Sequence, residues 1–145
     1  MKIKRDNFES IDAYSESLRE CNDCGVIALV VATGESYDDC RMALKRYGRK
    51  YRQGVHMPMM VSAAKYLGYT MIPELYLHHQ IKKKKGSNIT PITATKYLPK
   101  RRQYILEMNT HVAGVYRNKV IDWAADRRRP IYKIWSVTKI KGELS

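Results

Sequence analysis

Apolar positions in the first half of the chain follow helical spacing, and the strongest such segment begins at a cysteine. Residues Cys24–Thr33 are apolar on nearly all sides, a pattern typical of a helix buried at the centre of a domain. Asn22 or Asp23 can cap the start of this helix, and Gly34 can end it in a left-handed turn. We therefore predict a central buried helix with a cysteine in its first turn.

Further helices are predicted on both sides of this segment. The polar stretch Asn7–Arg19 is expected to be helical. Ser36 can cap an amphipathic helix that Gly48 ends, because acidic residues fill its first turn and basic residues its last. Another helix is expected from about Pro58 to Leu67, with Gly68 as its stop.

The second half of the chain consists of short runs rich in β-branched and aromatic residues, which is typical of strands. A brief helix from Pro91 to about Leu98 interrupts them, and Arg117-Asn118-Lys119 predicts a tight hairpin turn. Because helices come first and antiparallel strands follow, we expect an α+β fold in one domain over residues 1–145. The expected extended segments are Tyr69–Pro73, Glu74–Leu77, Gln103–Met108, Thr110–Arg117, Val120–Trp123 and Ile131–Val137.

The composition favours a soluble intracellular protein. Of the 145 residues 44% are apolar, enough for a core, but no stretch approaches the roughly 18 consecutive apolar residues of a membrane span. No apolar run follows Met1–Arg5, as it would in a secretory signal, and three cysteines favour a reducing compartment. We expect a cytoplasmic location (in the host cell if the protein is viral), with no cofactor, no metal and no membrane contact. The oligomeric state stays open.

The charge is distributed unevenly along the chain. Residues 1–40 carry a net charge of −5 and residues 41–145 one of +18, which gives +13 in all. Such a field attracts acidic partners, so we expect an acidic protein substrate, with nucleic acid as the other candidate partner. The run Lys82–Lys85 has no apolar face and is expected on an exposed loop. The candidate binding residues are Arg49, Lys50, Arg52, Lys82, Lys83, Lys84, Lys85, Arg101, Arg102, Arg127, Arg128 and Arg129.

Cys24 is the candidate nucleophile. A cysteine in the first turn of a buried helix lies where unpaired N–H groups and the helix dipole favour thiolate over thiol, and the thiolate is the reactive form. The same N–H groups can bind an oxyanion. Gly25 leaves room for a substrate backbone beside the sulfur.

A nucleophilic cysteine needs a base and a group that orients the base. His111 opens one expected strand and Asp122 lies on the next. With a two-residue hairpin turn both side chains project from the same face, as diagonal neighbours or somewhat further apart; a three-residue turn would separate them. Trp123 follows Asp122 and can shield the contact between histidine and aspartate from water.

The order of these residues resembles that of the papain-like cysteine peptidases. The motif Asp23-Cys24-Gly25 at a helix start, a strand that opens with His111, and an acid after a hairpin are similar to the compact forms: bacteriocin-leader peptidases and ubiquitin-like-protein proteases. Small phage and bacterial proteins with Asn-Asp-Cys and with Gly-Arg-Lys near the second helix, here Gly48-Arg49-Lys50, are similar too. The resemblance covers roughly residues 20–123. It implies a papain-like fold, with the nucleophile on a central helix packed on a C-terminal antiparallel sheet.

Transferred by position, the resemblance implies Cys24 as nucleophile, His111 as general base and Asp122 as the orienting acid. The amide that stabilises the oxyanion does not transfer. Papain-like enzymes usually carry Gln or Asn several residues before the cysteine, where this chain has Leu18-Arg19-Glu20. Asn22 is therefore the candidate oxyanion donor, unless it only caps the helix.

Other chemistries fit the cysteines less well. Cys21 and Cys24 form a C-x-x-C, but a thioredoxin-like site would follow a strand, and here a polar helix precedes it. A zinc site could recruit Cys21, Cys24 and Cys40 with a histidine, although no second ligand pair has finger-like spacing. Cys40 is interpreted as a core residue.

The function expected from the sequence is that of a thiol hydrolase, a peptidase or isopeptidase, acting on an acidic or nucleic-acid-associated protein. The first alternative is a catalytically silent papain-like scaffold that binds nucleic acid or a host protein through its basic face. The second is an acyltransferase that uses the same three residues. No helix-turn-helix, finger or RNA-binding motif favours nucleic acid beyond composition.

Overall fold

The computed structural model describes residues 3–140, which form a mixed α+β fold, as expected for the chain. Within this range there are six helices and one sheet of five antiparallel strands. The helices are α1 (Phe8–Ser17), α2 (Cys24–Thr33), α3 (Tyr37–Arg46), α4 (Met57–Tyr66), α5 (Leu75–Lys85) and α6 (Pro91–Tyr97). The strands are β1 (Tyr69–Pro73), β2 (Gln103–Met108), β3 (His111–Tyr116), β4 (Lys119–Ile121) and β5 (Ile131–Lys139).

The sheet separates two apolar cores. Its strands lie in the order β1-β5-β2-β3-β4. On one face α2 packs against β3, together with α3 and α4, and Val112 and Ile105 point into this core. On the other face α5 and α6 cover a second core that includes Leu106 and Ala113. The sheet therefore lies between two layers of helices.

Helix α2 has the bounds that the sequence predicts. It is apolar and buried from Gly25 to Thr33. Gly34 ends it with a φ of +79°, the left-handed conformation that glycine adopts without strain. The predicted helix around residues 58–67 is also present, beginning one residue earlier.

Close contact between α2 and β3 depends on a glycine in the strand. A Cβ atom added to Gly114 would lie 2.6 Å from the Cβ of Val31 and 2.8 Å from the carbonyl oxygen of Ala28. Only a residue without a side chain allows the helix backbone to approach the strand this closely. Gly114 therefore sets the spacing between the helix that begins at Cys24 and the strand that begins at His111.

The hairpin between β3 and β4 has a two-residue turn. Arg117 and Asn118 have φ values of +48° and +57°, as a type I′ turn requires, and Tyr116 pairs with Lys119. By continuation of this register, His111 and Asp122 are diagonal neighbours on one face of the hairpin. The sequence-based prediction of their relation is confirmed.

Two sequence-based predictions about residues 74–85 are wrong. The expected extended segment Glu74–Leu77 and the expected lysine loop Lys82–Lys85 belong to one helix, α5. The lysines occupy its last turn, where cations interact favourably with the helix dipole, and Gly86 ends it at φ +80°. Ile81 is buried in the second core and packs the helix against it. The expected strand Val120–Trp123 is also shorter, ending at Ile121.

None of the helices described for residues 3–140 is both long enough and apolar enough to cross a membrane.

Candidate active site

Cys24 is the first residue of α2, and no side chain caps the helix in front of it. Asp23 is the N-cap residue, but its carboxylate makes no capping hydrogen bond. Instead its Oδ2 accepts hydrogen bonds from the hydroxyls of Ser15 and Tyr37, each at 2.6 Å. The buried carboxylate is thus satisfied by α1 and α3, and the first N–H groups of α2 are left for another anion at the position of the Cys24 sulfur.

His111 and Asp122 form a buried pair. The Nε2 of His111 donates to the Oδ2 of Asp122 at 2.6 Å, and both residues are only 6% exposed. The same carboxylate oxygen accepts the backbone N–H of Ala124 at 2.9 Å, which fixes the carboxylate from the other side. Because Nε2 is committed to Asp122, Nδ1 is the ring nitrogen left for the cysteine.

The electrostatics link this pair to Cys24. Burial lowers the pKa of His111, but the hydrogen bond with Asp122 and the interaction with the Cys24 side chain outweigh it and raise the pKa to about 9. The imidazole therefore favours its charged form at neutral pH.

The indole of Trp123 lies against the imidazole of His111, and a guanidinium lies over the indole. The rings of His111 and Trp123 have centroids 4.7 Å apart, although Trp123 is itself 50% exposed. The guanidinium of Arg129 lies over the Trp123 ring at 5.8 Å. Trp123 therefore contacts the histidine of the pair that the sequence predicts it to shield.

The surface cleft has two arms that meet at Cys24 and His111. One arm has a volume of about 450 Å³, and the other of about 340 Å³. Cys24, Thr110 and His111 line both arms. The first arm is otherwise lined by Gly54, Val55, His56, Met57, Glu107, Met108 and Val112. The second is lined by Phe8, Asp12, Asn22, Asp23, Ile27, Asp122, Trp123 and Arg129. Cys24 and His111 therefore border open space on two sides.

Asn22, the candidate oxyanion donor, lines the second arm beside Cys24. Its φ of +52° is left-handed, which asparagine tolerates better than most residues. The side-chain Nδ2 donates to the carbonyl oxygen of Arg52 at 3.2 Å, which uses one of its two hydrogens. Asn22 does not cap the helix, because the N-cap position belongs to Asp23.

A buried ion pair holds the loop before Cys24. Glu20 accepts from Arg49 at 3.0 Å and 3.1 Å, and their side chains are 0% and 2% exposed. Arg49 also donates to the backbone oxygens of Cys21 and Gln53. The assignment of Arg49 to an exposed binding surface is therefore corrected, because its charge is neutralised inside the protein. Its role is to join the loop at residue 20 to the loop at residue 53.

The other candidate binding residues lie at the surface, and one of them enters the cleft. Arg129, half-buried, lines the second arm near Cys24. Arg52 is exposed, and its Nε lies 3.3 Å from the sulfur of Cys21. Lys85 is partly buried and bonds the carbonyl oxygen of Asn88. The remaining members are exposed: Lys50, Lys82, Lys83, Lys84, Arg101, Arg102, Arg127 and Arg128.

Cys40 is a core residue, as the sequence indicates. It is completely buried in α3, and burial raises the pKa of its thiol to about 12. Cys21 is half-buried beside Arg52. Over residues 3–140 no three His, Cys, Asp or Glu side chains are grouped so that they could hold a metal ion.

Three features of the site escaped the sequence analysis. Asp12 lies in the cleft although it belongs to α1. Arg129 is a predicted binding residue, but the sequence does not indicate that it lines the cleft together with Cys24. The hydroxyls of Ser15 and Tyr37 hold Asp23 away from the helix start. These contacts connect distant parts of the chain, and no local pattern signals them.

No family model matches the chain, and neither a curated protein nor a solved structure matches it significantly.

Proposed function

We propose that this protein is a thiol hydrolase of papain-like arrangement that cleaves a peptide or isopeptide bond. The observation that carries the proposal is the position of His111. One ring nitrogen is fixed by Asp122, and the other is left for a cysteine at the start of a buried helix. The chain order of cysteine, histidine and acid, and the packing of the cysteine helix on an antiparallel sheet, also support it.

In the first half of the reaction the Cys24 thiolate attacks the carbonyl carbon of the substrate. The negative charge that forms on the carbonyl oxygen is stabilised by free N–H groups at the start of α2, with Asn22 as an additional donor. His111, as imidazolium, then donates its proton to the leaving amine. The carbon–nitrogen bond breaks, the amine departs, and a thioester links the acyl group to Cys24.

In the second half water replaces the amine. His111, now neutral, takes a proton from the attacking water, and the thioester carbon becomes tetrahedral again. The carbon–sulfur bond breaks, which returns Cys24 as thiolate and His111 as imidazolium and releases a carboxylic acid. Throughout both halves Asp122 keeps the ring in one orientation and stabilises its charged form. An amine in place of water would give acyl transfer.

The substrate class we propose is an acidic protein segment. The protein carries a net charge of +13, and the exposed lysines and arginines favour encounter with a negatively charged partner. The long-range charge raises the rate of association, whereas the cleft decides which bond lies beside Cys24.

A peptide-library digestion tests the proposal. The wild-type protein and Cys24→Ala are incubated with a randomised peptide mixture, and new termini are identified by mass spectrometry. Cleavage by the wild type that is absent from the variant supports hydrolysis. Incorporation of added hydroxylamine at the new carboxyl end shows that the reaction passes through the thioester at Cys24. No cleavage, or equal cleavage by both proteins, overturns the proposal. In that case a salt-sensitive gel shift with nucleic acid that survives Cys24→Ala identifies a binding scaffold instead.

A further inference from the structure

The second arm of the cleft contains a cation that the proposed chemistry does not use. Arg129 is half-buried and lines this arm together with Cys24 and His111. Its Nη2 donates to the carbonyl oxygen of Asn109 at 2.8 Å, and its guanidinium lies over the ring of Trp123. These two contacts hold the long side chain in place, so little conformational freedom is left for a ligand to remove.

The guanidinium of Arg129 has hydrogen-bond donors to spare. A guanidinium carries five N–H groups, and one acceptor, Asn109, is identified for them. Among the ion pairs of residues 3–140, none includes Arg129. Its neighbour Arg127 contrasts with it, because that residue is mostly exposed and is paired with Asp126 at 3.7 Å. A planar, fixed and unpaired guanidinium suits a carboxylate, which it can bind through two parallel hydrogen bonds.

Acidic side chains line the same arm as Arg129. Asp23 and Asp122 are buried and already accept hydrogen bonds from protein groups. Asp12 is half-buried on α1, and burial together with the nearby Glu16 and Asp23 raises its pKa. A negative ligand in this arm is therefore attracted by Arg129 and repelled by Asp12.

We propose that Arg129 is the anion-binding residue of the cleft and that the substrate carries a carboxylate within one residue of the bond that Cys24 attacks. The carboxylate can be an acidic side chain or the end of a chain. This inference rests on the proposed function and gives it a substrate class. It also makes a claim of its own, namely that Arg129 increases the rate at which a small anion reacts with the Cys24 sulfur relative to the rate of its neutral counterpart.

Alkylation of Cys24 by a charged and a neutral reagent tests the subsite without any need for turnover. Iodoacetate carries a carboxylate where iodoacetamide carries a neutral amide. The ratio of their rates of reaction with Cys24 is measured by mass spectrometry in a Cys21→Ser background. The salt concentration is about 0.15 M, at which distant charges are screened. We expect Arg129→Gln to lower the iodoacetate-to-iodoacetamide ratio about tenfold, as the loss of a charge-assisted hydrogen-bonded pair would. Asp12→Asn should raise it.

Arg128→Gln is the matched control, because it removes the same charge one residue away from a side chain that is exposed and outside the cleft. The ratio should stay unchanged in this variant. An equal fall in the Arg128 and Arg129 variants, or no fall in either, overturns the subsite. Because no bond is hydrolysed, this result is independent of whether the protein cleaves peptides.

Peptides then distinguish the two sources of the carboxylate. Substrates found in the library are remade with Asp, Asn or Ala beside the cleaved bond, and with a free or an amidated C-terminus. If the Asn peptide is cleaved more slowly than the Asp peptide by the wild type, and the two are cleaved equally by Arg129→Gln, the subsite binds an acidic side chain. Loss on amidation alone assigns it to a chain end, and indifference to both changes contradicts the subsite.

Discussion

His111 and Asp122 are joined by a 2.6 Å hydrogen bond between Nε2 and Oδ2, although neither residue is positioned by the helix that carries the cysteine. The two-residue turn of the β3–β4 hairpin places them as diagonal neighbours, and the N–H of Ala124 holds the carboxylate. The pair is therefore built by the hairpin and the residues that directly follow it. What brings it to Cys24 is the packing of α2 on β3.

The contact between α2 and β3 predicts the effect of a single methyl group. Gly114→Ala should lower the free energy of unfolding by about 1–3 kcal/mol, because the new Cβ overlaps Val31 and the carbonyl oxygen of Ala28. The same variant should slow alkylation of Cys24, since the helix must move away from the strand. Urea denaturation measures the first effect. Gly54→Ala is the control, because a Cβ there meets nothing within 4 Å. Equal stability of the two variants would contradict this account of the packing.

The ion pair between Glu20 and Arg49 is predicted to be essential to the fold. Arg49→Met leaves the buried carboxylate of Glu20 with one cationic partner, the half-buried Arg41, beside the backbone N–H groups of Cys21 and Arg52. The loss should cost about 3–5 kcal/mol of unfolding free energy. Arg41→Met should cost about 1 kcal/mol or less, because that side chain is 30% exposed and the Arg49 pair remains. Denaturation curves of the two variants measure both losses of unfolding free energy. Similar losses would show that burial does not distinguish the two pairs.

The raised pKa of His111 predicts a dependence of stability on pH. Burial lowers this pKa, but interactions with Asp122 and Cys24 raise it from the ordinary 6.5 to about 9 in the folded state. Protonation of His111 therefore stabilises the fold fully below pH 6.5, and this contribution is lost as the pH rises to about 9. We expect the difference in unfolding free energy between wild type and His111→Gln to shrink across this range. A difference that grows or stays constant between pH 6 and pH 9.5 would rule out the raised pKa.

The role of Asn22 can be separated from that of the nucleophile. Asn22→Gly removes the amide, while glycine keeps the left-handed backbone at this position. If Asn22 stabilises the oxyanion, kcat for peptide cleavage should fall about 10²–10³-fold. The rate of Cys24 alkylation by iodoacetamide should not change, because that reaction forms no oxyanion. Unchanged kcat would leave the N-terminal amides of α2 as the oxyanion donors and exclude Asn22.

The parts of this structure that are encoded locally could be predicted from the sequence. The bounds of α2 follow from a continuous apolar run that ends at Gly34, and the facing of His111 and Asp122 follows from the turn length. The sequence does not predict helix α5, because four lysines without an apolar face are typical of a loop. In the structure Ile81 is buried in the second core, and the helix dipole favours the lysines in the last turn of the helix.

What could not be predicted depends on contacts between distant residues. Arg49 belongs to a basic cluster in the sequence, and only its pairing with Glu20, 29 residues earlier, explains its burial. Similarly, the sequence predicts Asn22 or Asp23 as the helix cap. Asp23 takes the N-cap position, but its carboxylate accepts hydrogen bonds from Ser15 and Tyr37 and not from the helix. Arg129 reaches the cleft because of the path of a loop after β4, for which the sequence has no periodic signal.

The central claim is that His111 activates Cys24, and the rate of alkylation by iodoacetamide tests it most directly. The measurement uses the Cys21→Ser background at pH 6.5, where Cys40 is buried and protonated, and compares the protein with and without His111→Gln. We predict that Cys24 reacts at least about tenfold faster when His111 is present, because a neighbouring imidazole activates a cysteine as a nucleophile. Equal rates in the two proteins, with both folded, would contradict the account.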